Sequence, residues 1–124
     1  MDIAQHKKWL VGEGNEIGEK AKDNKEWKSQ IRGIWDAART ETEPQVLLNF
    51  LRYQGVRGKN WREPENVLEP MEAAMKKCIE KAEEQPESAM ELIRHLLAYT
   101  YRAFTFHSHK SQRENNHDHN NDNQ

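Results

Sequence analysis

Wherever this sequence is apolar enough to contribute to a core, its apolar residues recur at steps of three and four. Trp27, Ile31, Ile34, Trp35 and Ala38 form one such stripe. Val67, Leu68, Met71, Ala74, Met75, Cys78, Ile79 and Ala82 form another. A third, Ala89, Leu92, Ile93, Leu96, Leu97, Thr100 and Phe104, is flanked by Tyr99, Tyr101 and Phe106. That period places each set on one side of a helix. With 35% apolar and 32% charged residues and a mean hydropathy of −1.15, the chain has little apolar surface to bury. Helices that each bury one narrow stripe meet that limit best. The sequence therefore predicts an all-α fold, a compact bundle of four to five helices in a single domain over residues 1–106.

Local signals place the ends. Gly12, Gly14 and Gly18 are expected to punctuate the early chain and to leave at most a short helix around Ile3 to Val11. A helix is expected from about Asn24 to Thr40, in which Gly33 would mark a close helix crossing. Thr42 can cap the next helix, and Pro44 suits its first position. Val46, Leu47, Phe50, Leu51 and Gln54 form its face, and Gly55 and Gly58 are expected to end it. The following helix spans about Pro64 to Glu84, with Pro70 making residues 65–69 an irregular lead-in. The last helix is predicted to start at Pro86 or Ser88 and run to about Phe106. Residues 107–124, "HSHKSQRENNHDHNNDNQ", hold no aliphatic or aromatic side chain other than histidine, and this tail is expected to be disordered.

Several function classes lose support at this level. Walker, Gly-x-Ser-x-Gly and His-Glu-x-x-His signatures are missing, so no catalytic residue is assigned and the chain is not expected to be an enzyme. Cys78, the single cysteine, lies on an apolar stripe and is expected to be a buried, inert thiol. One cysteine and no long apolar span fit a soluble cytoplasmic protein with no membrane partner. The His107–His109 and His117–His119 pairs lack a scaffold to fix them, so no metal site and no cofactor are expected. His95 is expected to be a packed or partly exposed histidine rather than a ligand.

Charge is segregated along the chain. From Lys25 to Arg62 eight basic residues stand against four acidic ones, and from Glu63 to Glu91 nine acidic residues stand against three lysines. A basic half recruits polyanions even where the net charge is only −2. Lys28, Arg32, Arg39, Arg52, Arg57, Lys59 and Arg62 are the candidate phosphate contacts, because lysine and arginine carry the charge and the arginine fork donates in pairs.

Three segments carry a family resemblance: "SQIR" (Ser29–Arg32), "FLRYQGVRG" from Phe50, and "LLAYTYRAFTFH" (Leu96–His107). In order and spacing they resemble the helical small subunit of type III-A CRISPR effector complexes, the Csm complex, over roughly residues 27–106. The middle motif departs from that family's Tyr-Gln-Ala-Gly-Arg, since Tyr53-Gln54-Gly55-Val56-Arg57 exchanges a glycine for a bulkier residue. The resemblance implies a non-catalytic subunit of an antiviral ribonucleoprotein. Its partners would be guide RNA and target RNA, contacted at the phosphate backbone, other subunits of the complex, and copies of itself. It also implies that Arg32 and Arg57 contact phosphate, with Tyr53 and Gln54 packing the loop. The acidic half would meet the basic face of the next copy. The rival reading is a small helical DNA-binding regulator with residues 27–40 and 44–57 as a helix-turn-helix, against which Glu41 and Glu43 sit in the turn.

Overall fold

The computed structural model describes residues 2–57 and 65–122, with side chains described for residues 2–55, 66–110 and Arg113. A 3-10 turn over Ile3–His6 leads into α1 (Lys7–Ala21), followed by α2 (Glu26–Thr40), α3 (Pro44–Arg57), α4 (Glu65–Lys81) and α5 (Pro86–Asp122). The described residues contain no strand, and the all-α bundle expected from the stripes is the observed fold. α5 is its spine and packs against all four other α-helices. Its stripe of Ala89, Leu92, Ile93, Leu96, Leu97, Thr100 and Phe104 is buried. The Thr100 hydroxyl donates to the Leu96 carbonyl at 2.8 Å, which satisfies the one buried polar side chain among the described residues.

α1 departs most from expectation. It continues through all three early glycines, and two of them lie against α5 with no room for a Cβ. A Cβ on Gly14 would lie 2.9 Å from both the Thr100 nitrogen and the Tyr99 Cβ. On Gly18 it would lie 2.6 Å from the Phe104 nitrogen and 2.7 Å from the Ala103 Cβ. The glycines bring backbone against backbone, and their matched steps show that α1 and α5 run in the same direction. Gly12 meets nothing within 4 Å. Gly33 is open as well, so the crossing expected there is absent.

Other ends move for local reasons. The Glu41 carboxylate, rather than Thr42, accepts the amides of Thr42 at 3.0 Å and Glu43 at 3.2 Å ahead of α3. Gly55 stays helical, where a Cβ would lie 2.7 Å from Leu68 Cδ1, and Gly58 falls outside the described residues. α4 includes residues 65–69, because Pro70 sits close enough to the helix start to lose only one backbone bond, while Val67 and Met71 on either side of it are buried. α4 and α5 join through Glu83 and Glu84, both left-handed at φ 53° and 62°, with the Glu84 amide donating to the Ile79 carbonyl at 3.1 Å.

α5 starts at Pro86, as expected, but is continuous to Asp122. His107 Nε2 lies 2.8 Å from Asn15 Oδ1, and Ser108 Oγ donates to the Lys22 carbonyl at 3.1 Å, so the body extends past residue 106. The rest of the expected tail lies largely outside the described side chains. No helix among the described residues is long and apolar enough to cross a membrane.

Cys78 is fully buried as expected, and burial, aided by the nearby Glu13 carboxylate, pushes its thiol up to about 12. A disulfide-exchange reagent at neutral pH should therefore label Cys78 only as fast as the protein opens, and rapid native-state labelling would contradict this burial. Gly18→Ala should lower unfolding stability by about 1–3 kcal/mol through overpacking. Gly12→Ala should raise it by about 0.5–1 kcal/mol. Urea denaturation of the two variants reads both signs.

Candidate nucleic-acid interface

α2 lies antiparallel to α5, and the groove between them gathers the basic side chains of α2. Trp27, Ile31, Ile34 and Ala38 face the core. The three- and four-residue steps from Lys25 through Lys28, Arg32 and Trp35 to Arg39 form a parallel stripe beside them, about 21 Å long at 1.5 Å per residue. The opposite bank is Tyr101, Thr105, Ser108 and His109 of α5.

Two arginines of the stripe rest on aromatic rings. The Trp35 and Tyr101 rings are 5.7 Å apart at 38°. Arg32 Cζ stands 5.9 Å from the Tyr101 centroid, and Arg39 Cζ stands 4.6 Å from that of Trp35. Such contacts orient a guanidinium without cancelling its charge. Arg39 also approaches Asp36 at 3.5 Å, but with both side chains about half exposed that pair is screened by water. Among the described residues neither Lys28 nor Arg32 pairs with a carboxylate.

At the N-terminal end of α2 the groove deepens into a cavity of about 180 Å³ lined by Lys25, Lys28, Phe104, Thr105, Ser108 and His109. Thr105 donates to the Tyr101 carbonyl at 3.0 Å and Ser108 to that of Lys22, so the hydroxyl protons are already engaged. Lys25, Lys28 and His109 are left as the groups able to donate to an anion.

The far end is fixed by Arg94, half-buried on α5. Its Nε donates to the Ala38 carbonyl at 2.7 Å and its Nη2 to that of Glu41 at 3.0 Å. These are carbonyls at the end of α2, where the helix dipole also favours a cation. Arg94 thereby holds α2 and its stripe in register on α5.

Of the seven basic residues singled out in the sequence, Lys28, Arg32 and Arg39 share this groove. Arg52 does not. Its Nε lies 2.6 Å from Glu72 Oε1, a carboxylate also approached by Lys76 at 3.7 Å, so it ties α3 to α4. The Arg57 side chain, Lys59 and Arg62 lie outside the described residues. Tyr53 is 58% exposed. Lys25, Trp35, Tyr101, His109 and Arg94 were missed as site residues. The regular stripe of Lys25, Lys28, Arg32 and Arg39 was visible in the sequence, whereas the α5 bank needed the fold.

The acidic half is found on the outer side of α4 and the turn into α5, where Glu69, Glu80, Glu83, Glu84 and Glu87 are exposed. No group of His, Cys, Asp and Glu among the described residues is arranged to hold a metal ion. No protein-family model, curated protein or solved structure matches the chain.

Arg94→Met keeps the aliphatic stem and removes both charged donors. It should lower stability by about 1.5–3 kcal/mol. It should also speed amide exchange in the last turn of α2, and unchanged exchange there would show that Arg94 does not hold the helix.

Proposed function

We propose that the chain is a non-catalytic, RNA-contacting subunit of a type III CRISPR ribonucleoprotein interference complex. In this reading the α2–α5 groove lies on backbone phosphates, and guide pairing supplies the sequence specificity. The observation that carries it is the stripe of uncancelled cations, with Arg32 held over Tyr101. Two of the segments that give the family resemblance, "SQIR" and "LLAYTYRAFTFH", are far apart in sequence and meet at that contact. Nearby guanidinium groups lie over both aromatic rings, which favours phosphate contact over base stacking. Exposed carboxylates around α4 and its turn suit contact with basic side chains of another copy of the chain that RNA leaves uncovered.

A helix-turn-helix regulator is less well supported. A recognition helix needs outward base-reading side chains, and α3 exposes Gln45, Val46, Asn49 and Tyr53 while its one arginine with a described side chain, Arg52, is engaged by Glu72.

Replacing Lys28 and Arg32 together by glutamine should weaken binding of a short RNA duplex about tenfold or more. It should also flatten the log–log salt dependence by about 1 per removed contact. Arg52→Gln should leave RNA affinity unchanged, and an equal loss in that variant would remove the groove from the interface. A tagged chain purified from its native cells should bring down a guide-RNA particle with larger subunits. Recovery of the chain free of RNA and partners would overturn membership in such a complex.

A further inference from the structure

On the flank of α5 that meets α1, the start of α1 and the outer side of α5 enclose a second concavity, about 340 Å³ in volume. It is lined by Lys7, Arg94, His95, Ala98, Tyr99 and Arg102, with no carboxylate among them. Arg94 is held in place by the carbonyls at the end of α2. Arg102 Cζ lies 5.8 Å from the Tyr99 centroid, and the His95 ring lies 6.3 Å from the same ring. His95 Nδ1 is 2.9 Å from the Glu91 carbonyl oxygen. A carbonyl only accepts, so Nδ1 carries a proton. The neutral ring then keeps a lone pair at Nε2 and becomes a donor there only on protonation.

We propose that this concavity binds phosphate and that protonation of His95 strengthens the binding. Lys7, Arg94 and Arg102 bring permanent positive charge to one open hollow whose lining holds no carboxylate, which suits an oxyanion such as phosphate. On the elements packed here, His6 of the Ile3–His6 turn and Lys7 of α1 lie on one side, and Arg94, Arg102 and Glu91 belong to the helix of His95 itself. Beyond the end of α2, Glu41 has its carboxylate engaged with the Thr42 and Glu43 amides. The protonated ring adds a charged donor, so its contribution is present on the acid side and lost as pH rises. The site shares Arg94 with the support of α2 but none of the groove cations Lys25, Lys28, Arg32 and Arg39. Its phosphate is either free in solution or part of a nucleic-acid backbone.

The test follows the backbone amide resonances of Ala98, Tyr99 and Arg102 in every variant, together with the His95 ring resonances where His95 is present, during titration of the full chain with inorganic phosphate and, separately, with a short RNA duplex. Both titrations are run at about pH 5.5 and about pH 8.5, on either side of the range in which imidazoles change charge. Comparing H95Q with the parent chain at each pH cancels the titration of phosphate itself. The parent should bind phosphate about three- to tenfold more tightly than H95Q at the lower pH and equally at the higher one, within the usual range for a charged hydrogen bond. Lys7→Gln with Arg102→Gln should weaken binding at both pH values. A His95 response to both ligands places the site on a nucleic-acid backbone, and a response to inorganic phosphate alone assigns it to free phosphate. No response to either ligand at the lower pH overturns the site, and equal affinities of parent and H95Q there overturn the protonation effect. Lys28→Gln with Arg32→Gln should leave the phosphate response of His95 intact, so this site and the α2 groove can fail separately.

Discussion

The contact of Gly14 and Gly18 with the backbone of α5 is the constraint on which the rest of the bundle depends. Each glycine costs a helix about 1 kcal/mol relative to alanine, a local loss offset only where another element occupies the space. Here residues 99–104 of α5 do so, and the two helices lie side by side in matched register. Fixing α1 on one flank of α5 leaves the other flank for α2, which returns antiparallel. Arg94 then pins the end of α2 from the same spine. Position, direction and register of the basic helix thus follow from a backbone contact on the far side of α5.

That arrangement separates arginines that look alike in sequence. Arg52 meets the Glu72 carboxylate at 2.6 Å, which orients it and cancels much of its charge. Arg32 meets the face of Tyr101, which orients it and leaves its charge available. Ion pairs build the α3–α4 side, whereas aromatic supports build the α2–α5 groove. A polyanion finds an uncancelled cation only in the second case.

Legibility in the sequence tracks where the physical cause lies. The stripes of α2, α4 and α5 were readable because helical periodicity and burial are both properties of a short window. The early glycines were not, since the same residue marks a break or a close approach, and the deciding partner lies more than eighty positions away. Gly33 and Gly55 show the ambiguity in both directions, one open where a crossing was expected and one helical where an end was expected. The continuation of α5 past Phe106 has a related cause. Once a helix passes the core its apolar stripe stops, while His107 and Ser108 still bond to Asn15 and the Lys22 carbonyl. The candidate site was half readable. The α2 stripe is local, but its supports on α5 and the neutralisation of Arg52 are tertiary.

The number of groove cations bears on how such a surface would act. Lys25, Lys28, Arg32 and Arg39 offer only a few phosphate contacts, and each contact contributes a salt-dependent increment rather than a specific one. About three contacts give a log–log salt slope of only about −2 to −3, so a single copy would hold RNA weakly at physiological ionic strength. A surface of this kind becomes effective when several copies engage one strand, because later contacts form at high effective concentration. On α4 and its turn the exposed carboxylates Glu69, Glu80, Glu83, Glu84 and Glu87 outnumber the exposed Lys76, Lys77 and Lys81. On the proposed reading, a chain with few phosphate contacts of its own would work best in repeated copies along one strand, which favours an assembled subunit over a free-standing one.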